Sequence, residues 1–420
     1  MIKRRVVITG IGVVTPFGCA LEGLWGALQA GRSAAQEIDG VEGRRLLGAP
    51  VTGFSASSHL DVKSLRLMAP AVAFGVAAAQ LAAADSGLAF DSIDPVRLGA
   101  FVGSRGHSSD RQDLLPAVQR ATEAGVFRLD TFGAEGLPLV HPMWLLKGLA
   151  NNVLYFLSLK YNAQGMNNNI SMGGVAGTMA IGEAFQTIQR GYVDVALAGG
   201  YDSSLDLDRI EMFESSGLAT KSIDPVRASR PFDRRRDGFL RAEGAGFLVL
   251  EVMESARNRG ARVYGELLGY GSSGPASTMS TGPDARGFGG ALTAALTDAG
   301  GITPDIVFAY GLATQASDIE ETRALKAVLG ARAHTIPAPA LKSMIGNTFA
   351  ASGAIEVAVA LLAMRDGVAP PTINLTEPDE ACDLDYVAGT AARSMRMRIV
   401  ALNNANLAGA HAALIFGQPE

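Results

Sequence analysis

Apolar runs that end near glycine alternate along the chain with alanine-rich stretches that carry helical spacing. The apolar runs are short and mostly lack polar alternation, so we expect strands buried on both faces. The pattern predicts strands at Arg5–Thr9, Ala100–Gly103, Val195–Ala198, Gly246–Glu251, Ile306–Ala309, Arg398–Leu402 and Ala412–Phe416. It predicts helices at Ser64–Ala84, Thr178–Gln189, Gly290–Asp298, Asp318–Val328 and Ala354–Met364. This alternation is typical of an α/β protein.

Two stretches of the chain repeat the same order of features. Gly173–Gly177 leads into a helix and then a strand, and Ser343–Asn347 does the same in the second half. We therefore expect two similar halves, residues 1–255 and 256–420. Residues 106–159 depart from this rhythm and are rich in Leu, Trp, Tyr and Phe, which predicts a cap inserted into the first half.

The charge and hydropathy of the chain argue against two classes of partner. Its 420 residues carry 36 Lys and Arg against 41 Asp and Glu, for a net charge of −5. This weakly acidic balance argues against nucleic acid or an anionic membrane surface. The longest apolar run, Met68–Ala83, has about 16 residues and contains Pro70 and Gln80, whereas a membrane span needs about 20. We interpret it as a buried helix and expect no membrane partner.

The sequence predicts no cofactor and no metal. TGIGVVTPFG, residues 9–18, suggests a dinucleotide-binding loop, but Thr15 stands where the third glycine should be. Cys19 and Cys382 give neither a disulfide framework nor metal-ligand spacing. The basic start of the chain meets Gly, Pro and a strand pattern too soon for a signal peptide. We expect a cytoplasmic protein.

One glycine-rich turn has the form in which many enzymes present a nucleophile. In ISMGGVAGTMAIGEA, residues 170–184, a short strand enters a cluster of glycines and a helix of small residues begins at once. Such a turn places a reactive side chain at its apex, in front of the helix N-terminus. Here the apex carries Gly174, which has no side chain to react.

Several segments together resemble the β-ketoacyl synthases, the condensing enzymes of fatty acid and polyketide synthesis. The matching segments are RRVVITGIGVVTPFG at 4–18, GYVDVALAGGYDSS at 191–204, SRPFDRRRDGFLRAEGAGFLVLE at 229–251 and PPTINL at 370–375. The resemblance runs nearly end to end. It implies the thiolase fold, an α/β structure whose duplicated halves form five layers, αβαβα.

The resemblance also implies a catalytic set that this chain lacks. The family uses a cysteine at the glycine turn to take an acyl chain, and two histidines that stabilise the enolate left when malonyl carrier protein loses CO₂. By motif register, the cysteine is replaced by Gly174, the first histidine by Tyr310 and the second by Asn347. The supporting Lys342 and Asp318 persist.

The family's substrate-handling residues are also altered. Of the two threonines that usually hold the pantetheine arm, one survives as Thr314. Leu407 stands in place of the aromatic gate. Trp144 aligns with the family position whose aromatic ring reaches the partner's acyl pocket, and a helix there would place Gly148 one turn on. We expect Trp144 to wall the growing-chain tunnel and Gly148 to widen it, with ordinary interface core as the alternative.

Three functions stay open at this point. An intact scaffold with an emptied site is similar to the chain-length factor of type II polyketide systems, which pairs with an active ketosynthase subunit and is served by an acyl carrier protein with its phosphopantetheine. A homodimer that uses Tyr310 and Asn347 as hydrogen-bond donors, for malonyl decarboxylation or non-covalent acyl transfer, is the second hypothesis. A non-catalytic scaffold paralogue is the third.

Overall fold

Nine strands lie side by side in the main sheet of the computed structural model, which describes residues 3–40, 43–106, 111–274 and 282–419. They are β1 (Val6–Val14), β2 (Leu98–Ser104), β3 (Asn167–Ser171), β4 (Val195–Ser203), β5 (Arg241–Val252), β6 (Gly265–Ser273), β7 (Ile306–Phe308), β8 (Ile399–Ala405) and β9 (His411–Gly417). Their order across the sheet is β7-β8-β9-β6-β1-β5-β4-β2-β3. A hairpin of Gln36–Asp39 and Arg45–Ala49 joins the start of β5.

The order of strands is duplicated about the centre of the sheet. In the first half β1 pairs antiparallel with β5, β5 antiparallel with β4, β4 parallel with β2, and β2 parallel with β3. In the second half β6 pairs antiparallel with β9, β9 antiparallel with β8, and β8 parallel with β7. Three residue pairs between β1 and β6 join the two parts. The expected duplication is therefore visible in the topology.

A proline-containing segment occupies the place in the second half that β3 holds in the first. The Val307 amide donates to the Pro337 carbonyl at 3.0 Å, and the Ala309 amide donates to the Pro339 carbonyl at 3.0 Å. Residues 337 and 339 have no N–H to return to a ladder, so this segment runs beside β7 without forming a regular strand.

Nine helices of nine or more residues surround the sheet in the described ranges. They are α1 (Leu21–Gln29), α2 (Pro70–Ser86), α3 (Arg111–Arg120), α4 (Asn152–Tyr161), α5 (Ala176–Gln189), α6 (Leu207–Ser216), α7 (Ala285–Asp298), α8 (Gln315–Leu329) and α9 (Ser352–Asp366). Four shorter helices matter below: Val62–Leu65, Trp144–Lys147, Met253–Asn258 and Lys342–Ile345.

The helices and the two parts of the sheet form five layers. α2 covers the outer face of β1, β4 and β5, and α7 with α8 covers the outer face of the second half. α5 and α9 lie between them, and the core around these two helices includes residues of both parts, among them Ile8, Leu248, Leu402 and Leu414. The thiolase fold expected from the sequence is confirmed.

The predicted elements are present, with shifted ends. The helix expected at Ser64–Ala84 is two helices, because Pro70 occupies the first position of α2, where its missing N–H costs nothing. β6 was not predicted, because glycines interrupt its apolar pattern. In the expected cap, 106–159, the described residues form α3, a short strand pair at 122–127, the helix at Trp144–Lys147 and most of α4, and 107–110 lie outside the described residues. In the described ranges no helix is both long and apolar enough to cross a bilayer.

Candidate functional site

The glycine turn joins β3 to α5 at the edge of the first half. β3 ends at Ser171, a single tight turn covers Gly173–Val175, and α5 begins at Ala176. Gly173 has φ of 57°, a left-handed conformation that favours glycine. The turn therefore has the strand-to-helix geometry that the sequence predicts, with Gly174 buried at its apex.

Gly174 is closed to any side chain. A Cβ built on its backbone would lie 2.9 Å from the carbonyl oxygen of Ala405, closer than folded proteins allow. That oxygen belongs to the backbone of β8, so neither alanine nor cysteine fits here unless the end of the strand moves. The strand that faces this turn therefore leaves no room for a side chain at its apex.

A cleft of about 640 Å³ opens beside the closed turn. Its apolar wall includes Met212, Phe213, Phe349 and Leu407, and its polar wall includes Arg105, Asp206 and Arg209. Neither cysteine nor histidine occurs among the described residues that line it. No thiolate or imidazole of this lining is available to attack a thioester or to act as a base.

The polar wall of the cleft is held by a buried carboxylate. Asp202 is 2% exposed and lies 3.7 Å from Arg105 and 3.5 Å from Arg209. Burial raises the pKa of Asp202, and the two guanidinium groups oppose that shift. Arg209 also lies over the ring of Phe349, with its guanidinium carbon 5.0 Å from the centroid. This wall is rigid and carries both signs of charge.

Tyr310 lies inside the aromatic core rather than on the cleft. It is 1% exposed, its ring centroid is 5.8 Å from that of Phe288, and Lys342 Nζ lies 4.5 Å above its ring. Burial first, and then nearby carboxylates led by that of Glu356, raise the pKa of Tyr310 far above its usual range. The phenol therefore stays protonated at neutral pH.

Asn347 is buried with one half of its amide unused. Its Oδ1 accepts hydrogen bonds from the Phe349 amide at 3.1 Å and from Ser352 Oγ at 3.4 Å. Its Nδ2 has no partner among the described residues, although the side chain is 1% exposed. A buried amide donor without an acceptor is costly, which makes this group a candidate for binding a ligand.

Lys342 forms a buried ion pair behind these positions. Its Nζ lies 2.5 Å from Glu356 Oε1, and both side chains are at most 5% exposed. Glu356 Oε2 accepts from Asn404 Nδ2 at 3.1 Å. Burial raises the pKa of Glu356, against the lowering effect of Lys342. The pair ties the short helix at Lys342–Ile345 to α9.

Asp318 and Glu321 hold the loop that carries Tyr310. Glu321 accepts the backbone amides of Tyr310 and Gly311 at 2.7 and 2.9 Å. Asp318 accepts the amides of Ala313 and Phe232 at 3.1 and 2.8 Å. Burial raises the pKa of each carboxyl to about 7, against these hydrogen bonds. Both carboxyls therefore bond to backbone.

Comparison with known proteins identifies the family of the chain. The family model of the beta-ketoacyl synthase N-terminal domain matches residues 3–256, and that of the C-terminal domain matches residues 264–376. The chain belongs to the β-ketoacyl synthase family. When the family motifs are aligned with this chain, as the resemblance implies, Gly174 stands at the position of the reactive cysteine. Tyr310 and Asn347 stand at the positions of the two histidines.

Curated relatives and a solved structure extend the match over the whole chain. A "3-oxoacyl-[acyl-carrier-protein] synthase 2" of Coxiella burnetii is 35% identical, covering 100% of this chain and 99% of that protein. A "Putative polyketide beta-ketoacyl synthase 1" of Streptomyces halstedii is 37% identical, with 100% and 99% covered. A solved structure, "The ishigamide ketosynthase/chain length factor", superposes with a TM-score of 0.87 at 31% identity, with 100% of each chain covered.

The structure separates the remaining candidate residues of this synthase homologue into two groups. Leu407 lines the cleft beside Gly174, and Thr314 precedes α8, where its carbonyl accepts from Arg236 at 3.2 Å. Trp144 begins a four-residue helix that ends at Gly148, so the expected continuous helix is absent. Gly148 is buried and lines a second, small cavity of about 20 Å³, which shares Arg105 with the cleft. Neither Trp144 nor Gly148 is among the described residues that line the cleft at Gly174.

Neither of the two cysteines is placed to act as a nucleophile at the glycine turn. Burial raises the pKa of Cys19, and it raises the pKa of Cys382 to about 11. Neither residue lines the cleft at Gly174. Both thiols stay protonated at neutral pH and are poor nucleophiles.

Three residues near the site escaped the sequence reasoning. Glu321 lies among other charged residues of α8, so nothing singled out its carboxylate. Glu356 is the only charged residue between 352 and 364 of α9, a run that is buried throughout, and this departure from an apolar pattern was a signal that the sequence reasoning did not use. Arg241 interrupts an otherwise apolar strand, Phe239 to Val249, apart from Glu243. A lone arginine in such a run is a signal for a buried charge, and the structure places it at 1% exposure.

Proposed function

We propose that this chain is a condensing-enzyme homologue without condensing chemistry of its own, which pairs with an active ketosynthase subunit. In that pair it acts as a chain-length factor does, by shaping the space in which a polyketide or related acyl chain grows. Acyl groups reach the pair on the phosphopantetheine arm of an acyl carrier protein.

The closed position at Gly174 carries this proposal. Glycine cannot form an acyl-enzyme, and the carbonyl of Ala405 fills the space that a reactive side chain needs. Removing the nucleophile alone costs about 10⁶ in kcat in a well-studied hydrolase, as much as removing its whole catalytic set. The retained fold therefore serves a purpose other than condensation by this chain.

One face of the molecule supports pairing with a second chain. β3 ends the sheet, and its outer edge is unpaired among the described residues. Large apolar side chains beside it are exposed: Leu145 at 56%, Tyr155 at 52%, Leu159 at 68% and Met166 at 50%. An open edge beside exposed apolar groups favours association. Trp144 precedes the exposed Leu145 on the same short helix, which supports its proposed role in a wall shared with a partner.

The relatives support the carrier protein and the paired state. The Coxiella relative is named for an acyl carrier protein substrate, and the superposed structure is named as a ketosynthase with a chain-length factor. In this chain, a cleft of about 640 Å³ is lined by both Gly174 and Leu407, which supports it as the proposed site of the arm. Lys63 and Arg66 are exposed on and after the helix at Val62–Leu65, where acidic carrier surfaces find complementary charge.

Native mass spectrometry of the tagged protein purified gently from its own cells tests this pairing. We expect a one-to-one complex with a chain of similar mass that carries the cysteine and both histidines. A homodimer with no second chain would overturn the proposal. In the reconstituted pair, Trp144→Ala should change the product length, and Leu207→Ala, an exposed position in the first turn of α6, should leave it unchanged.

The unused Nδ2 of Asn347 favours decarboxylation as a second candidate function. Loss of CO₂ from a malonyl thioester needs donors aimed at the thioester oxygen and needs no nucleophile. Asn347 and the protonated phenol of Tyr310 are donors of the right kind. CO₂ release from malonyl carrier protein by the isolated chain, reduced by Asn347→Leu and by Tyr310→Phe, would support it. No release above buffer would exclude it.

A further inference from the structure

One aromatic residue of the cleft has a backbone conformation that such residues rarely adopt. Phe349 has φ of 48°, in the left-handed region, where the Cβ of a bulky residue crowds the following carbonyl oxygen. It begins a single tight turn, Phe349–Ala351, just before α9. Strained residues of this kind cluster at functional sites, where the surrounding structure holds them in place.

The backbone of this turn is held on both sides of the strained residue. Oδ1 of Asn347 accepts from the Phe349 amide at 3.1 Å, and the buried Asp202 accepts from the next amide, that of Ala350, at 3.3 Å. The Ala350 carbonyl packs so closely against Gly177 that no Cβ fits there. Because the backbone is fixed, movement at this position falls to the ring of Phe349.

The ring of Phe349 forms part of an aromatic wall between the cleft and the core. It lines the cleft, is 4% exposed and stacks on Phe213, with the two centroids 5.0 Å apart. Phe239 meets it edge-on, with the centroids 5.3 Å apart. These three rings, the aromatic wall, pack in the same apolar cluster as Tyr310.

Hydrogen-bond donors that the cleft does not reach lie behind the aromatic wall. Neither Asn347 nor Tyr310 is among the described residues that line the cleft, and both are 1% exposed. Nδ2 of Asn347 has no acceptor among the described residues, and Phe349 follows it by two positions. A cavity large enough for a ligand thus ends at a ring that is two residues from a buried donor without a partner.

A guanidinium that lines the cleft holds the ring in its present position. The guanidinium carbon of Arg209 lies 5.0 Å from the ring centroid of Phe349 and 5.6 Å from that of Phe213. A cation over the faces of two stacked rings stabilises their arrangement. Arg209 also lies 3.5 Å from Asp202, the carboxylate that accepts the Ala350 amide. The group that holds the ring and a group that fixes the turn are therefore in contact.

We propose that Phe349 is a gate between the cleft and Asn347, with Arg209 as its latch. When the ring turns away, the cleft extends to Nδ2 of Asn347 and to the phenol of Tyr310. An uncharged carbonyl group, such as that of a thioester or a ketone, fits these donors, because an amide and a protonated phenol carry no charge to be balanced. When the ring is in place, a ligand in the cleft does not reach them.

The gate would regulate the second candidate function, and its use in decarboxylation rests on that function. Hydrogen bonds to a substrate oxygen are stronger where water is excluded, and a ring that covers the donors until a carbonyl arrives keeps water away from them. The movement of the ring itself depends on no reaction. It can therefore be measured in the isolated chain.

Thiol labelling at position 347 tests the gate. Asn347→Cys places a thiol behind the aromatic wall, and its reaction with iodoacetamide at pH 8 is followed by peptide mass spectrometry. A buried thiol reacts in proportion to the population of open molecules, so we expect slow labelling, and a rate about tenfold higher or more when Phe349→Ala is added. Cys382, which is 1% exposed, reports unfolding of the whole chain in the same sample, and the rise at position 347 should exceed any rise at Cys382.

Two further variants separate the gate from the rest of the cleft. Met212→Ala removes another large apolar side chain from the lining of the same cleft, one that is 49% exposed, and should leave the labelling rate unchanged. Arg209→Gln removes the cation from the ring and should raise the rate by about two- to fivefold.

Each outcome decides the proposal. A rise at position 347 no larger than that at Cys382 overturns the gate, as does an equal rise with Met212→Ala, and an unchanged rate with Arg209→Gln overturns the latch. If Asn347→Cys does not fold, Ser352→Cys takes its place, since it changes one atom and Ser352 Oγ donates to Asn347 Oδ1 at 3.4 Å. Labelling needs neither carrier protein nor partner subunit, so failure here leaves both candidate functions untouched, and absence of CO₂ release leaves the gate untouched.

Discussion

The three positions that the resemblance aligns with the family's reactive residues differ from the charged groups behind them. Gly174, Tyr310 and Asn347 carry neither a thiol nor an imidazole, and the first is closed by the backbone of β8. Directly behind them, Lys342 is still paired with Glu356, and Glu321 still holds the loop of Tyr310. The three positions thus lack reactive groups, whereas the buried charges around them are paired or bonded.

The contrast shows what the buried charged side chains behind these positions do. Glu321 accepts backbone amides, and Lys342 links a short helix to α9, so each fixes the path of the chain. A group that holds backbone stays necessary after the chemistry is gone, because removing it leaves buried donors or a buried charge. In this chain the charged groups are parts of the fold.

The largest effect is expected from breaking the buried ion pair. Lys342→Met leaves Glu356 as an unpaired carboxyl of at most 5% exposure and should lower the free energy of unfolding by about 3–5 kcal/mol. Denaturant titration measures it. Lys342→Met with Glu356→Leu should recover much of the loss, since both charges are then gone. If the double variant is as unstable as Lys342→Met, the ion pair contributes to stability by more than the mutual neutralisation of its two charges.

The next largest effect is expected at Glu321. Glu321→Leu leaves the amides of Tyr310 and Gly311 without acceptors and should cost about 2–4 kcal/mol in unfolding free energy. Glu321→Gln keeps an acceptor oxygen and should cost less. Equal losses in the two variants would contradict a role as acceptor.

The carboxyl group of Glu321 should also make the stability of the fold depend on pH. Its folded pKa is about 7, above its ordinary value of 4.5, so the folded protein binds this proton more tightly than the unfolded chain. Stability from this group is therefore full below about pH 4.5 and is lost as the pH rises through 7. Glu321→Gln should flatten that fall between pH 5 and 8 in denaturant titrations, and an unchanged slope would rule out this titration.

A smaller loss is expected when a side chain is forced into the closed turn. Gly174→Ala places a Cβ 2.9 Å from the Ala405 carbonyl and should cost about 1–3 kcal/mol by thermal unfolding. Gly174→Cys should cost as much and should not restore condensation with malonyl carrier protein. Gly26→Ala, at an exposed helical glycine with open space, should instead be neutral or stabilising by up to about 1 kcal/mol. A tolerated Gly174→Ala would show that the turn is open.

The smallest effect is expected at a histidine buried beyond the site. His411 packs against Phe288, and both its ring nitrogens lack partners among the described residues. Burial lowers its pKa to about 4, against the carboxylate of Asp284. The unfolded chain therefore binds this proton first, and stability is lost as the pH falls from 6.5 to 4. His411→Asn should reduce that loss and change stability little at pH 8; an equal acid loss would contradict it.

The sequence predicted the layers better than the site. Buried strands and helices of small residues can be predicted from periodicity, and the motif at Ser229–Glu251 indicated the family. The closure of Gly174 could not be read, because the atom that closes it belongs to Ala405, more than 200 positions away. Close contacts between distant backbones leave no mark in a local pattern.

The unpartnered donors were equally hidden. Asn347 was singled out as a replaced histidine, but its free Nδ2 depends on which way Phe349 and Ser352 turn its Oδ1. Arg241 was passed over inside a family motif, since a motif match draws attention to the residues that agree. The informative residue was the one that departs from the apolar pattern of the strand, because it indicates a buried charge.

The prolines of the second half affect how such chains can assemble. Two sheet ends that both accept a strand would let copies add one after another into a fibre. Here the outer edge of β3 is unpaired in the part of the chain that the structure describes. The other end of the sheet is finished by Pro337 and Pro339, and the amide of Ala338 between them donates to the carbonyl of Asp385. Growth by strand pairing therefore stops after a single partner, whatever that partner is.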